Sequence, residues 1–471
     1  MSQRAYRFWC LSPFKTEFFV GMARESWQSR IGFTMAAAGS AVGLINIWRF
    51  PYVVGAYGGG AFILVYLMCL VLIGLPVFLA EVVLGRTAAS NPAGTFRKLG
   101  GNRAWAATGK GIVITGFLVS SFYSAIAGWI LGYLYEIATS GLSQFGSCAA
   151  AAACFAQWTG STGWTLSFHA LFLLICAAIL LLGVKRGIEW GNKFLMPLLF
   201  VLLIFICIKG LMLPGASKGL AFLFTPDWSV LTPTSIIIAL GHSFFTLSLG
   251  QGTMITYGGY LSRKDSIPLG CVPVLAFDTL ISLLAGIAVF TVVFSVGLEP
   301  SSGPSLMFNS LPLVFSSIPG GHLVALLFFF LVVIAAITSE ISVLEPVVAY
   351  FMDEKKWSRR KAVTICALAA FAFGIPSALS TNLMRDATWM GLTFFDLVSS
   401  FTTNLLIPLG GLAAVLLAGW RWGFHRFWAH LEEGTAHMAT RYHWLKPYFW
   451  VGVKVTAPLL ILLVLIANLL S

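Results

Sequence analysis

Charged residues are scarce in this sequence. Asp, Glu, Lys and Arg make up only 10% of the 471 residues, whereas 58% are apolar and mean hydropathy is +0.88. A soluble fold could not bury so many long apolar runs, and many of the 39 Phe and 16 Trp of the chain lie in or beside these runs. The composition therefore excludes an ordinary soluble protein and predicts a chain that lies in a lipid bilayer.

Motifs for catalysis are also missing. The sequence contains no His-Glu-x-x-His, no phosphate-binding loop and no recognisable pairing of a nucleophile with a base. The eight Cys are scattered without the spacing of a zinc site. These absences argue against an enzyme.

Eleven segments are long and apolar enough to cross a membrane, which takes about 20 residues of helix. We therefore predict an all-α integral membrane protein with eleven transmembrane helices. The predicted spans lie near residues 32–54, 60–85, 108–138, 165–183, 192–212, 234–258, 268–298, 321–351, 361–378, 394–419 and 448–470.

The distribution of basic residues predicts the orientation. Lys and Arg cluster before span 1, between spans 2 and 3, and in alternate loops thereafter, whereas residues 139–164 and 299–320 contain none. By the positive-inside bias, the N-terminus is cytoplasmic and Ser471 lies outside the inner (plasma) membrane. The net charge of +12 then faces anionic lipid and is not a nucleic-acid footprint.

Residues 1–23 are predicted to be a cytoplasmic N-terminal extension, and residues 24–471 a single domain. The apolar run Phe18–Val20 is too short for the core of a signal peptide. Whether translation starts at Met1 or Met22 stays open. Cys148 and Cys154 share the long loop after span 3. The sequence is compatible with a disulfide between them and with two unpaired thiols.

Two spans are interrupted by residues that break helices. Span 1 breaks near Ala41–Asn46, and five spans later span 6 breaks near Thr246–Gly252. Broken helices are tolerated in a membrane where the freed backbone groups line a cavity, and there they bind ions and substrate. The spacing predicts a five-plus-five inverted repeat with broken helices 1 and 6. Its halves cover about 32–212 and 234–420, an extra helix covers about 448–470, and the substrate site lies between the breaks.

Several long motifs around these breaks resemble the neurotransmitter:sodium symporter family, in its prokaryotic amino-acid branch. The resemblance runs from about Arg24 to the end of the chain. The motifs are Gly39-Ser-Ala-Val-Gly-Leu-x-Asn-x-Trp-Arg-Phe-Pro-Tyr52, Gly58-Gly-Gly-Ala-Phe62, Phe244-Phe-Thr-Leu-Ser-Leu-Gly250, Asp278-Thr-Leu-x-x-x-Leu-Ala-Gly286, Ile337-Thr-Ser339 and Phe395-Asp-Leu397.

The resemblance implies two sodium sites built from oxygen ligands, which suit a hard cation. One would use the carbonyls of Gly39, Val42 and Ala335 with the hydroxyls of Thr338 and Ser339. Those two hydroxyls can alternatively bond back to carbonyls of their own helix. The other site would use the Ala41 carbonyl, Asn46, Thr246, Asp278 and a substrate carboxylate.

Asp278 also bears on chloride, because chloride-dependent relatives carry an amide at this position. A fixed carboxylate would repel a chloride ion a few ångströms away, so we predict that chloride is not required. His242 either makes transport pH-sensitive or is a neutral, hydrogen-bonded side chain, which we favour. The corresponding anion cradle is Tyr66, His242, Thr246 and Ser282.

The resemblance also implies which residues of this sequence line the substrate pocket. Tyr123 would donate its hydroxyl to a carboxylate, and Phe245 would cover the pocket as a lid. Ser40 stands where monoamine carriers have Asp, which favours a zwitterionic amino acid. The implied pocket is Ser40, Ala41, Leu44, Ile45, Val119, Tyr123, Phe245, Thr246, Ser248, Gln251, Ser339 and Val343.

Three residues depart from the family pattern. Ile45 replaces a usual Gly, and Gln251 puts an amide where an apolar wall is common. Glu340 places a carboxylate beside the Thr338–Ser339 pair. It could face a cationic side chain, carry a proton, or bond a neighbouring helix.

Charge pairs are expected to act as gates. Arg49 and Asp396 match the family's outer pair, and Arg24 and Asp353 match the inner pair, which Tyr260 would buttress. In span 5, Gly187 and Pro197 have a spacing that suits local unwinding.

We therefore expect a sodium-coupled symporter that imports an amino acid, most simply a neutral one, by alternating access. The alternative from another class is a substrate-binding membrane sensor on the same scaffold, without transport. The sequence leaves open which amino acid is carried, how many sodium ions move per cycle, and the oligomeric state.

Overall fold

The computed structural model describes residues 25–295, 306–435 and 443–470, and no β-strand occurs in these ranges. Most of the described residues are helical. The main helices are α1 (Arg30–Ala41), α2 (Ile45–Tyr57), α3 (Gly59–Ala88), α4 (Pro92–Gly100), α5 (Arg103–Ser140), α6 (Cys148–Gly160), α7 (Thr162–Leu181), α8 (Val184–Leu211), α9 (Ala216–Phe224), α10 (Pro233–Thr246), α11 (Thr253–Gly258), α12 (Ile267–Ser295), α13 (Leu311–Ser317), α14 (Gly321–Lys355), α15 (Arg359–Leu379), α16 (Phe394–Arg421), α17 (Phe424–Glu432) and α18 (Leu445–Leu470).

Nine of the described helices are long and apolar enough to cross a membrane, and the bent pair α1–α2 makes a tenth. The prediction of an all-helical fold with many membrane spans is thereby confirmed. An eleventh span would have to combine α10 and α11, which are shorter and are separated by residues 247–252. The count of eleven and the inverted repeat stay predictions, as does the division into domains.

The first break follows from local sequence. Ser29 caps the start of α1 by accepting a hydrogen bond from the Gly32 N–H at 3.0 Å. The helix ends at Ala41 because Val42 adopts an extended conformation, and α2 starts at a 47° angle to α1. Pro51 comes after the break, in the first regular turn that follows the wide π-helical turns of Ile45–Arg49. There its missing N–H removes no essential bond.

The second break separates α10 from α11. Ser248, Gly250 and Gly252 all have positive φ angles of 53°, 75° and 88°. Glycine adopts this left-handed region readily, whereas Ser248 is strained there, as residues at functional sites often are. A Cβ atom on Gly250 would lie 2.0 Å from the carbonyl oxygen of Ile407. The break therefore needs glycine for both its conformation and its packing.

The loop expected between spans 3 and 4 contains the helix α6. Ser147 caps this helix by accepting from the Ala150 N–H at 3.1 Å, and five consecutive Ala residues favour helix. The prediction on pairing of Cys148 with Cys154 lies outside the described residues, because it rests on the side chain of Cys148.

Helices α5 and α14 form the interior of the molecule. In the most apolar stretch of each helix, 78% of α5 and 72% of α14 is buried, compared with 33% for α7, α8 and α18. Because lipid is as apolar as Leu, exposed apolar faces such as those of α8 and α18 suit a protein surrounded by acyl chains. The two breaks thus lie against the most enclosed helices.

Glycines allow α3 to pack closely against α11. A Cβ atom on Gly85 would lie 1.9 Å from the carbonyl oxygen of Ile255, and one on Gly258 would lie 2.4 Å from that of Val82. Small residues let helix backbones approach in this way, and the gain is van der Waals contact. This packing fixes α11, one end of the second break.

We predict that Gly85→Ala destabilises the protein, because the added methyl group overlaps the Ile255 carbonyl. Such overpacking costs about 1–3 kcal/mol. The measurement is the midpoint of thermal unfolding in detergent. Gly111→Ala is the matched control, because a Cβ there meets nothing within 4 Å. Equal midpoints for the two variants would contradict the close packing of α3 and α11.

Candidate functional site

Four helices converge on the side chain of Asp278, which is fully buried in α12. Its Oδ1 accepts from Asn46 Nδ2 in α2 at 2.7 Å and from Thr246 Oγ1 in α10 at 2.6 Å. Its Oδ2 accepts from Tyr66 Oη in α3 at 2.8 Å. A lone carboxylate would be costly at this depth, and three donors stabilise it. Both helix breaks therefore meet at one carboxylate.

The residues expected at this sodium site are brought together. Thr246 and Asp278 supply hydroxyl and carboxylate oxygens, which are ligands that suit a hard cation, and Asn46 faces both of them with its amide nitrogen. Asn46 Oδ1 accepts from the Gly43 N–H at 3.0 Å, and this bond assigns the amide with Nδ2 towards Asp278. The Ala41 carbonyl belongs to the adjoining end of α1.

A second group of oxygens lies where the end of α1 packs against α14. The Ser339 hydroxyl lies 3.4 Å from the Ser40 carbonyl oxygen. A Cβ atom on Gly39 would lie 3.3 Å from Thr338 Cβ, and one on Gly43 would lie 2.2 Å from Ser339 Oγ. The structure thus brings Gly39, Thr338 and Ser339 together, with Val42 directly after the end of α1 and Ala335 in α14.

Thr338 also makes the alternative bonds, in which its hydroxyl donates to carbonyls of its own helix. Its hydroxyl lies 3.0 Å from the Ala335 carbonyl and 3.2 Å from the Ile334 carbonyl, both in its own helix. Threonine hydroxyls inside helices commonly do this. The contact is compatible with either role, because a hydroxyl can donate to a carbonyl while its oxygen faces a cation.

The expected substrate pocket contains a buried donor without a partner. Tyr123 is 6% exposed, and its hydroxyl has no hydrogen-bond partner in the described part of the chain. It lies 3.6 Å from the position that a Cβ on Gly43 would take, next to Ser339 Oγ. Buried polar atoms are almost always hydrogen-bonded, so an unpaired hydroxyl beside a helix break is fitted to a ligand's acceptor.

Hydroxyls also link the two breaks. Ser40 Oγ donates to Ser248 Oγ at 3.0 Å, and Ser248 Oγ donates to the Ser40 carbonyl at 2.9 Å. Ser342 Oγ lies 2.7 Å from Ser40 Oγ and belongs to the same cluster, although the sequence analysis did not identify it. Its place three residues after Ser339, on the same helix face, is a signal that could have indicated it.

All the residues of the expected pocket are buried except Ile45 and Phe245, which are half-buried. The guanidinium carbon of Arg49 lies 5.7 Å from the centre of the Phe245 ring. This is a cation–π contact. It places Arg49 beside the residue expected to act as a lid. The buried members are Ser40, Ala41, Leu44, Val119, Tyr123, Thr246, Ser248, Gln251, Ser339 and Val343.

The outer pair, Arg49 and Asp396, does not form an ion pair among the described residues. Asp396 instead forms a capping box at the start of α16. Thr393 Oγ1 donates to Asp396 Oδ2 at 2.7 Å, and the Asp396 N–H donates to Thr393 Oγ1 at 3.2 Å. The carboxylate is thereby held at its own helix terminus.

Of the inner pair, Arg24 lies outside the described residues. Asp353 accepts from the backbone N–H of Asn91 at 2.9 Å and from its Nδ2 at 3.1 Å. Tyr260, which is expected to buttress this pair, donates its hydroxyl to Glu345 Oε1 at 2.7 Å. Glu345 lies fully buried in α14. The role of Tyr260 at the inner pair stays a prediction.

Glu345 belongs to a charge network that the sequence analysis missed. Arg359 donates to both carboxylate oxygens of Glu345, at 3.1 and 2.7 Å, and lies 3.3 Å from Glu25. Two-pronged contacts between guanidinium and carboxylate are strong and directional. The network ties the N-terminal segment to the start of α15. Glu345 could have been identified from the sequence, because an acidic residue inside an apolar span needs a partner.

The anion cradle differs from the expectation for His242. This side chain is fully buried, but neither ring nitrogen has a hydrogen-bond partner in the residues described. Its ring packs 5.3 Å from that of Tyr66 and 5.6 Å from that of Phe50. The Tyr66 and Thr246 hydroxyls donate to Asp278, and Ser282 accepts from Asn46 at 2.8 Å. The carboxylate therefore engages the polar groups that would otherwise surround an anion.

Two further carboxylates are buried near the breaks. Glu340 accepts from the Ser120 hydroxyl in α5. Of the three interpretations that the sequence left open for Glu340, this contact is the bond to a neighbouring helix. Glu81 accepts from the Gly250 N–H at 2.7 Å and so supports the second break. The sequence analysis missed Glu81, although an acid inside predicted span 2 indicates a functional group.

The many membrane-spanning helices and the two helix breaks are those of a membrane transporter, and comparison with known proteins agrees. The model of the sodium:neurotransmitter symporter family matches residues 24–163 and 154–471. The chain belongs to this family.

Relatives in bacteria support the assignment over nearly the whole length. An uncharacterized sodium-dependent transporter of Bacillus subtilis is 39% identical over 421 residues, which cover 89% of this chain and 93% of the relative. One of Haemophilus influenzae is 33% identical and covers 95% of this chain and 98% of the relative. The crystal structure of MhsT in complex with L-phenylalanine is 43% identical, with a TM-score of 0.86, covering 95% of this chain and all of that one.

The family fixes the coarse function. The chain is a multi-pass membrane protein of a sodium-dependent transporter family, and it is a transporter and not an enzyme. The predictions of sodium dependence, symport and membrane transport are confirmed.

Proposed function

We propose that this chain is a sodium-coupled symporter that imports an amino acid by alternating access. The observation that carries the proposal is the convergence of both helix breaks on the Asp278 carboxylate, with the unpaired Tyr123 hydroxyl close to Gly43 of the first break. Broken helices at such a junction supply the ligands for both ion and substrate in transporters of this design.

Two sodium ions are proposed as co-substrates. The first would lie among Asn46, Thr246, Asp278 and the Ala41 carbonyl, with the substrate carboxylate completing the shell. Asn46 could present its amide oxygen to the ion by rotating about its terminal torsion, which is a soft two-fold rotation. The second ion would lie among the Thr338 and Ser339 hydroxyls and the carbonyls of Gly39, Val42 and Ala335.

An α-amino acid is the proposed substrate, and a neutral one is favoured. The unpaired Tyr123 hydroxyl offers a donor to a carboxylate, and the carbonyls freed around Ala41 and Phe245 offer acceptors to an ammonium. MhsT, which is 43% identical, has been crystallised with L-phenylalanine. Ser40 supplies no charge of its own to replace the substrate carboxylate, and Glu340 contacts Ser120 in α5.

The transport cycle follows from the gates. Arg49, which lies over Phe245, would close onto Asp396 once the pocket is filled, and Asp396 would leave its capping role in part. On the cytoplasmic side, release would require the network of Glu25, Glu345 and Arg359 to open. Inward movement of sodium supplies roughly 2.3 kcal/mol per charge per 100 mV.

The remaining parts of the proposal concern topology. We infer eleven spans in a five-plus-five inverted repeat, with a cytoplasmic N-terminus and an external C-terminus in the inner membrane. The bent pair α1–α2 and the pair α10–α11 would be the equivalent broken helices of the two halves.

We predict that Thr338→Ala and Ser339→Ala each raise the sodium concentration needed for half-maximal uptake by roughly 10–100-fold, as losses at metal sites do. Each variant removes one oxygen ligand. The measurement is accumulation of labelled L-phenylalanine in proteoliposomes against external sodium. Thr291→Ala is the matched control, because Thr291 makes the same bonds to its own helix, at 2.7 and 3.3 Å.

Wild-type sodium dependence in both site variants would contradict the ion assignment. A different result would favour the sensor alternative: sodium-dependent binding of the amino acid without accumulation against its gradient.

We predict that uptake persists when gluconate replaces chloride, because Asp278 already supplies the negative charge beside sodium. Asp278→Asn should impair uptake, and added chloride should restore part of it. The measurement is the initial rate of uptake for both proteins in chloride and in gluconate. Loss of wild-type uptake in gluconate would instead mean that Ser282 and Tyr66 hold a required anion.

We predict that competition for uptake requires both the free amino group and the free carboxylate of the amino acid. Phenethylamine and phenylalanine methyl ester should compete poorly, since neither offers a carboxylate to sodium and to the Tyr123 hydroxyl. N-acetylphenylalanine should also compete poorly, since it has no ammonium for the carbonyls near Ala41 and Phe245. Competition by unlabelled Leu, Trp, Gln and Lys then shows which side chains the pocket accepts. Stronger competition by Lys than by Leu would contradict the preference for a neutral side chain.

A further inference from the structure

One buried oxygen close to the Thr338–Ser339 group is assigned no role above. Asn192 lies in α8, is 0% exposed, and its Oδ1 has no hydrogen-bond partner in the part of the chain that the structure describes. Its Nδ2 donates to the Ile188 carbonyl of the same helix at 2.8 Å. Turning the amide over would set Oδ1 against that carbonyl oxygen, so the bond fixes which end is free.

The free oxygen points at the first helix break. A Cβ atom on Gly39 would lie 1.9 Å from Asn192 Oδ1 and 3.3 Å from Thr338 Cβ. The Asn192 oxygen and Thr338 therefore flank the same point on α1, at a residue whose carbonyl is one of the proposed sodium ligands. Only glycine at position 39 leaves room for this approach.

No N–H or O–H group in the described part of the chain donates to this oxygen. Most backbone N–H groups of the surrounding helices are consumed by bonds within those helices. An unpaired buried acceptor in such a place calls for a partner. Hard cations commonly take about six or more oxygen ligands, whereas the proposed set at this site supplies three carbonyls and two hydroxyls.

We propose that Asn192 Oδ1 is a further ligand of the sodium ion at the Thr338–Ser339 site. The inference rests on the proposed function, and it adds a third helix, α8, to a site otherwise built from α1 and α14. Asn192 lies between the π-helical turns of Val184–Glu189 and Pro197, two weak points of α8. A change in α8 would thus act on the ion directly through Asn192.

Sodium binding without any amino acid tests the inference. The readout is the rise in thermal unfolding midpoint of the purified full-length protein as NaCl replaces choline chloride, because a ligand stabilises the state it binds. Asn192→Leu keeps the side chain's approximate size and removes the oxygen. It should raise the half-stabilising sodium concentration roughly 10–100-fold. Asn192→Asp keeps an oxygen and adds charge, so it should lower that concentration.

Two reference variants make the outcome decisive. Thr402→Val removes another buried hydroxyl that lacks a partner, in α16, and should leave sodium stabilisation unchanged. Thr338→Val should weaken it. Wild-type dependence in Asn192→Leu, with Thr338→Val weakened, would make Asn192 a packing residue and overturn this inference alone. Wild-type dependence in Thr338→Val would overturn the proposed sodium site itself.

If Asn192→Leu does not fold, Asn192→Asp decides the question. A sodium dependence equal to or weaker than that of the wild type in this variant would overturn the inference, because a carboxylate touching the ion must bind it more tightly than an amide.

Discussion

Asp278 holds together the part of the molecule on which the rest depends. Its two carboxylate oxygens accept from Asn46, Thr246 and Tyr66, which come from three other helices. Neither helix break would be stable in a bilayer alone, because each leaves backbone groups without partners. The Asp278 carboxylate joins side chains from both breaks, and the cost of burying its charge is met by those donors together with the Tyr66 hydroxyl.

The same carboxylate explains how the polar residues around it are oriented. Tyr66, Thr246 and Ser282 could surround an anion, but their bonds run to Asp278 or to Asn46, which donates to it. His242 is left among aromatic rings. A negative charge fixed by the sequence thus determines which way the hydroxyls face, and a mobile anion would have to displace those bonds.

Much of this could be predicted from the sequence because the breaks are encoded locally. Gly43, Gly250 and Gly252 mark positions where helix cannot continue or where only glycine fits. The networks were harder to predict. Arg359 looked like one basic residue of a cytoplasmic loop, and only the folded chain shows it beside Glu345, at 11% side-chain exposure. The pairing of Arg49 with Asp396 depends on conformation, which a motif does not encode.

Gly43 also connects the proposed ion site to the proposed substrate site. Its N–H is bonded to Asn46, and its absent side chain leaves space that Ser339 Oγ and the Tyr123 hydroxyl approach from two sides. Gly43 therefore lies close to one residue of each proposed sodium site, Asn46 and Ser339, and to Tyr123 of the proposed substrate pocket. A ligand that fixed the backbone at Gly43 would lower the ordering cost of binding the next ligand. The proposed coupling between sodium and substrate would then be reciprocal, since each would raise the affinity for the other by the same factor.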